Sequence, residues 1–132
     1  MKSIFLDTVG LLALWDSSDQ WHEAALRALD ELGPHVVTLT TSFVMLECGN
    51  AAARRSYRSL VDQTRRKLQA GNKLIVPEKD DWEQAWSAYL SGAAADAGVV
   101  DHVSFIVMRR LGVTDVFSND RHFQAAGFNT LF

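Results

Sequence analysis

Residues 4–15, IFLDTVGLLALW, set one aspartate inside an otherwise apolar run. Residues from about 2 to 7 read as a short buried strand and Thr8 to about Trp15 as a short helix, which leaves Asp7 at the joint between them. The rest of the chain repeats that alternation. Trp21, Ala24, Ala25, Ala28, Leu29 and Leu32 fall at helical spacing behind the capping candidates Ser18 and Asp19, and Gly33-Pro34 ends the segment. Val36, Val37 and Leu39 mark a second strand. Thr40-Thr41-Ser42 then opens a helix to about Ala53, followed by a basic helix to about Ala70. Lys73 to Val76 is a third strand stopped by Pro77, and Asp80 opens a helix carrying Trp82, Ala85, Trp86 and Tyr89 on roughly one face. Beyond a loop around Gly98, Val103, Ile106, Val107 and Leu111 mark a helix that Gly112 terminates. A fourth strand at Asp115 to about Phe117, a short helix from about Arg121 to Ala126 and a last strand around Phe128 to Leu131 complete the pattern. No two-residue hairpin occurs, so the class is α/β, with a mainly parallel sheet covered by helices on both faces. Function in such sheets gathers at the carboxyl ends of the strands.

The 132 residues are expected to form one domain, 1–132. A composition 48% hydrophobic and 22% charged, with 2 Pro and 8 Gly, excludes a disordered or low-complexity chain. The single cysteine, Cys48, cannot pair within the chain, and its apolar helix face makes it an inert core thiol. No stretch approaches the roughly 20 apolar residues of a membrane span, and the run before Asp7 is too short for a signal peptide. The cytoplasm is the expected location, with no membrane partner. Net charge of −3 argues against indiscriminate nucleic-acid coating. One segment departs from that balance: Arg54, Arg55, Arg58, Arg65, Arg66 and Lys67 face a single acid, Asp62, and form either a solvated helix face or a phosphate-tracking patch. Trp15, Trp21, Trp82 and Trp86 are expected mostly in the core, with some left for a protein interface.

Four carboxylates stand out. Asp7 ends the first strand, Asp101 begins a helix and Asp120 lies just past the fourth strand, so the fold can bring all three to one rim; taken singly, each also reads as a helix cap. Glu47 does not. It sits about two turns into its helix and points inward, and its neighbours Phe43, Val44, Asn50 and Ala51 include no cation. Arg54 is two turns away, roughly 10 Å along the axis. A buried carboxylate without a partner costs several kcal/mol or takes up a proton, so Glu47 requires either a distant arginine or a shared cation. If the other acids converge on it, hard oxygen ligands favour Mg²⁺ or Mn²⁺. His102 and His122 each follow an acid closely and are read as hydrogen-bonded or surface side chains rather than ligands. Phosphate-binding glycine loops and the G-x-S-x-G nucleophile motif are absent.

The succession FLDTVGLLAL, TTSFVMLECGNA, VVDHVSFIVMRRLG and FSNDRHFQAAGF resembles the PIN-domain family, in particular the VapC-type ribonuclease toxins of bacterial toxin–antitoxin pairs, over essentially the whole chain. The resemblance implies a PIN-like three-layer α/β/α sandwich around a mainly parallel five-stranded sheet, with the metal site on Asp7, Glu47, Asp101 and Asp120. It also implies Mg²⁺- or Mn²⁺-dependent cleavage of single-stranded RNA regions to 5′-phosphate and 3′-hydroxyl ends, a homodimer, and inhibition by a cognate VapB-type antitoxin. Thr8 and Ser118 become supporting hydroxyls beside the acids, and Arg54, Arg55, Arg58, Arg65 and Arg66 become candidates for flanking RNA phosphates. Val9 departs from the Ser or Asn often found after D-T, and Val99-Val100 replace a polar residue frequent before the third acid. Asp96 is available as a fifth acid, though a solvated loop position is the simpler reading. Two other classes stay open: a PIN-like protein that binds RNA or a partner without cutting, and another Mg²⁺-dependent phosphohydrolase. The second lacks the D-x-D motif, because Thr8-Val9 follow Asp7.

Overall fold

The computed structural model describes residues 1–132. Strand β1 (Lys2–Leu6) leads into helix α1 (Thr8–Trp15) and α2 (His22–Leu32); β2 (Val36–Thr41) leads into α3 (Ser42–Ala51) and α4 (Arg58–Ala70). Then follow β3 (Leu74–Ile75), α5 (Lys79–Ser91), the single turn α6 (Ala93–Asp96), α7 (Val99–Leu111), β4 (Asp115–Phe117), α8 (Arg121–Ala125) and β5 (Asn129–Thr130). The strands form one sheet in the order β3-β2-β1-β4-β5, every pair parallel. The chain moves outward from β1 through β2 to β3, crosses back to β4 and continues to β5. Right-handed crossovers therefore put α1 to α4 on one face and α5 to α8 on the other, the three-layer sandwich. The direction reverses between β1 and β4, and a parallel sheet opens a crevice at that switch point.

The core is apolar because the central strands are buried on both faces: Ile4, Phe5, Val116 and Phe117 are inaccessible, as are Phe105 and Phe123 from the second helical layer. Helix α1 packs closely on β4. A Cβ on Gly10 would lie 1.9 Å from the carbonyl oxygen of Phe117, so only glycine allows this approach. The Thr40 hydroxyl donates to the Leu6 carbonyl at 2.6 Å and fastens β2 to the end of β1. Thr41 caps α3, its hydroxyl accepting from the Val44 amide at 3.2 Å.

Two expectations require correction. Trp21, Trp82 and Trp86 are not core residues: they are 46%, 42% and 53% exposed, and only Trp15 packs against the core. Helical spacing puts side chains on one face but does not say that the face is covered. The loop expected before Gly98 holds α6, a left-handed turn in which Ala94, Ala95 and Asp96 have φ of 53°, 57° and 60°. Alanine disfavours this conformation by roughly 1–2 kcal/mol per residue, so local propensity gives no sign of it.

Candidate metal centre at the rim of the sheet

Asp7 sits where β1 ends and α1 begins, beside the switch point. Its Oδ2 accepts from the Val9 amide at 3.3 Å, which caps α1, and from the Ser118 hydroxyl at 2.8 Å, which reaches across from the end of β4. The carboxylate is 2% exposed. Burial, then the negative charges of Asp101 and Asp120, push its pKa up to about 7. Ser118, itself fully buried, also accepts from the Asp120 amide at 3.0 Å, so one hydroxyl holds two of the acids in register.

Asp101 lies in the first turn of α7 and is half-buried. Its pKa rises to about 6, first through desolvation and then through the charges of Asp120 and Glu47, with His122 opposing. Glu47 is half-buried at the edge of the inward face of α3, whose buried side chains are Val44, Met45 and Cys48. Its Oε1 accepts from the Thr8 hydroxyl at 2.7 Å. No arginine reaches it: the ion pairs of the molecule are Lys2–Asp115, Arg65–Asp62, Arg66–Asp62, Arg110–Asp81 and His122–Asp120. Half-buried and hydrogen-bonded to Thr8, Glu47 is under less compulsion to find a counter-charge than the fully buried carboxylate expected from the sequence, and no cationic side chain of the chain supplies one. Cys48 lies beneath, its thiol pushed up to about 12 by burial and by the charge of Asp7.

Asp120 caps α8, its Oδ1 accepting from the His122 amide at 2.9 Å and facing His122 Nδ1 at 2.8 Å. A carboxylate oxygen of Asp101, one of Asp120 and a nitrogen of His122 lie within 4.8 Å of one another, a spacing one ion can span. Asp7 and Glu47 border this triad: Asp7 feels the charges of Asp101 and Asp120, and Asp101 that of Glu47. The structure thus brings all four acids together with Thr8 and Ser118, and adds His122, which the sequence reading set aside. The available signal was the spacing D-x-H at the start of a short helix, which turns the imidazole back over the capping carboxylate.

The five arginines stand apart from the acids. Arg65 binds Asp62 through Nε and Nη2 and Gln69 through Nη1, and Arg66 binds the same Asp62. Arg54, Arg55 and Arg58 form no ion pair. Arg58 and Arg65 line a groove of about 280 Å³ between α3 and α4, beside Leu46, Gly49 and Asn50. Val99 and Val100, just before Asp101, join Phe43, Val103, Trp82 and Trp86 around an apolar cavity of about 140 Å³, which accounts for apolar residues at these two positions.

A donor set of four carboxylates and one imidazole, with no lysine or arginine among them, suits a divalent cation. Comparison with known proteins adds to this geometry. The PIN domain family model matches residues 4–129. The 23S rRNA-specific endonuclease VapC20 of Mycobacterium tuberculosis, from strains CDC 1551 / Oshkosh and ATCC 25618 / H37Rv, is 31% identical over 126 residues, covering 95% of each chain. The crystal structure of Mycobacterium tuberculosis VapC20, a Sarcin-Ricin loop cleaving toxin, superposes with a TM-score of 0.78 at 28% identity, again over 95% of both chains.

Proposed function

Because this chain belongs to the PIN-domain family, we propose that it is a Mg²⁺- or Mn²⁺-dependent endoribonuclease, the toxin of a VapBC-type toxin–antitoxin pair. One observation carries the reading: Asp7, Glu47, Asp101 and Asp120, from four separate parts of the chain, share one rim of the sheet with no arginine or lysine paired to any of them. Like charges gathered around a buried Asp7 are costly to keep, and such costly clusters concentrate at sites of binding or chemistry, which supports the reading.

When bound, the divalent ion supplies charge neutralisation at the scissile phosphate and lowers the pKa of a water. The side chains do the rest. Asp7 and Asp101 would hold the ion, and Glu47 and Asp120 would complete the site directly or through water and orient the attacking water for in-line displacement. Ser118 fixes the spacing of Asp7 and Asp120, and Thr8 fixes the rotamer of Glu47. Arg54, Arg55 and Arg58, free of ion pairs, are the arginines available to meet flanking phosphates, and Arg65 and Arg66 contribute only at the expense of Asp62. RNA is the substrate class, and the ribosomal RNA loop cut by VapC20 is the first sequence to try. Two protein partners belong to the same reading: a VapB-type antitoxin and a second copy of this chain.

The test is cleavage of RNA by the purified protein with Mg²⁺, with Mn²⁺ and with EDTA, followed by mapping of the ends. Cutting to 5′-phosphate ends that stops in EDTA is expected. Asp101→Asn should lower the rate by a factor of about 100 or more while keeping the circular dichroism of the parent. RNA retained equally in EDTA and Mg²⁺ without any product would instead assign a binding protein. Turnover of a phosphomonoester with RNA left intact would assign a different phosphohydrolase.

A further inference from the structure

Three carboxylates and a glutamate would make an all-oxygen site, the natural home of Mg²⁺, which is hard, keeps oxygen ligands and dehydrates reluctantly. This chain places an imidazole in that site. A nitrogen of His122 lies within 4.8 Å of an oxygen of Asp101 and of one of Asp120, which lie within 4.8 Å of each other. The ring is not free to drift. Its own backbone amide is bonded to Asp120 Oδ1 at 2.9 Å, and Nδ1 stands 2.8 Å from the same oxygen. Two ligands of one ion stand about this far apart, so a cation that takes the place of this hydrogen bond meets Asp120 Oδ1 and the Nδ1 lone pair together, with the proton of the neutral ring on Nε2. His122 and Asp120 are both partly solvent-exposed, so an ion can reach them without unfolding of the site.

Resting on the metal-dependent nuclease reading, we propose that His122 is a nitrogen ligand of the centre and makes it selective for Mn²⁺ over Mg²⁺. Imidazole binds first-row transition ions well and Mg²⁺ poorly, so a mixed carboxylate and imidazole set moves the preference away from Mg²⁺ even though the surrounding acids suit either ion. The alternative is a purely structural role, in which His122 only props Asp120 at the start of α8. That role predicts an equal loss for both ions when the ring is removed.

The experiment loads the intact protein with MnCl₂ and records pulsed electron paramagnetic resonance, in which a directly bound imidazole gives ¹⁴N modulation of the Mn²⁺ signal. Calorimetric titration with MnCl₂ and MgCl₂ is run in parallel on the parent, His122→Asn and His122→Asp. Nitrogen modulation is expected in the parent. The ratio of Mn²⁺ to Mg²⁺ affinity should fall by about 10- to 100-fold in His122→Asp, which restores an oxygen at the same place. Absence of nitrogen modulation, or a ratio unchanged by His122→Asp, overturns the assignment. If the variants fail to fold, the spectrum of the parent decides alone. A folded parent that binds neither ion removes this inference together with the nuclease reading; one that binds Mn²⁺ and cuts RNA without nitrogen modulation removes this inference only.

Discussion

Asp7 is the residue at which stability and function pull in opposite directions. Folding carries its carboxyl out of water and toward two other acids, so its pKa rises from 3.8 to about 7, and that of Asp101 rises from 3.8 to about 6. A carboxyl that binds its proton more tightly when folded makes stability fall as pH climbs through the interval between those values. The metal-free protein should therefore lose melting temperature between about pH 4 and pH 7, and a divalent ion should restore more of it at pH 8 than at pH 5. Scanning fluorimetry with EDTA, Mg²⁺ and Mn²⁺ across that range is the measurement. Asp7→Asn deletes the buried charge while keeping an acceptor for Ser118 and Val9. At pH 8 without metal it should be more stable than the parent by on the order of 2 kcal/mol, and it should show no gain on adding Mg²⁺. A variant that melts lower in EDTA would mean that the carboxylate is stabilising in its own right. All four acids were legible in the sequence because each stands where a strand or helix begins, or, for Glu47, where no local partner exists. His122 was not, because a histidine two residues after a capping aspartate reads as surface until the turn of α8 is known. The pairing of the arginines was only partly legible, since the reach of Asp62 to both Arg65 and Arg66 depends on helical phase and on side-chain torsions.

Among the elements, α1 is held closest to the chemistry, and it is held by the lack of a side chain. It is apolar almost all round, so its sequence signals burial without saying which part faces the sheet. Gly10 settles that question by letting the helix backbone rest on Phe117, which in turn brings Asp7 to Ser118. Gly10→Ala should destabilise by about 2–3 kcal/mol, read from urea unfolding, because the new methyl meets main-chain and ring atoms of Phe117 that cannot rotate away. Metal affinity should fall with it even at temperatures where the variant stays folded. A neutral outcome would show that α1 can slide without cost. Most boundaries followed from the alternation of apolar runs and caps: α1 and β4 begin and end as expected, and the cap of α3, Thr41, falls within the start signal Thr40-Thr41-Ser42. What escaped was α6, whose three left-handed residues include two alanines. Nothing in an alanine-rich stretch announces a conformation that alanine disfavours; only the fold shows it, where the turn packs against α5 and α8.

At the scale of the whole molecule, the class of fold was readable but the strand order was not. Alternating strands and helices without hairpins require parallel pairing, whereas the order β3-β2-β1-β4-β5 depends on where the long connection through α5 and α7 lands. Nor did the sequence show which apolar faces stay open. Trp82, Trp86 and Tyr89 are about half exposed and Leu90 is 88% exposed, all on α5, and the first two also wall the apolar cavity beside Asp101. Tryptophan and tyrosine dominate the energetic centres of protein interfaces, and this face carries the aromatic surface that the proposed second copy would need. Trp86→Glu should convert a dimer to a monomer in light scattering while leaving the circular dichroism unchanged; an unaltered mass would place the dimer elsewhere or exclude it.

The bond between Ser118 and Asp7 joins residues 111 positions apart. A ribosome making this chain has long finished Asp7, Thr8 and Glu47 before it adds Ser118, Asp120 and His122, so a partly synthesised molecule holds no assembled centre. For a product proposed to cut RNA, the centre cannot assemble before Ser118, Asp120 and His122 have been added and the strand that carries them has closed onto the first, so a nascent chain that stops short of them carries no complete site.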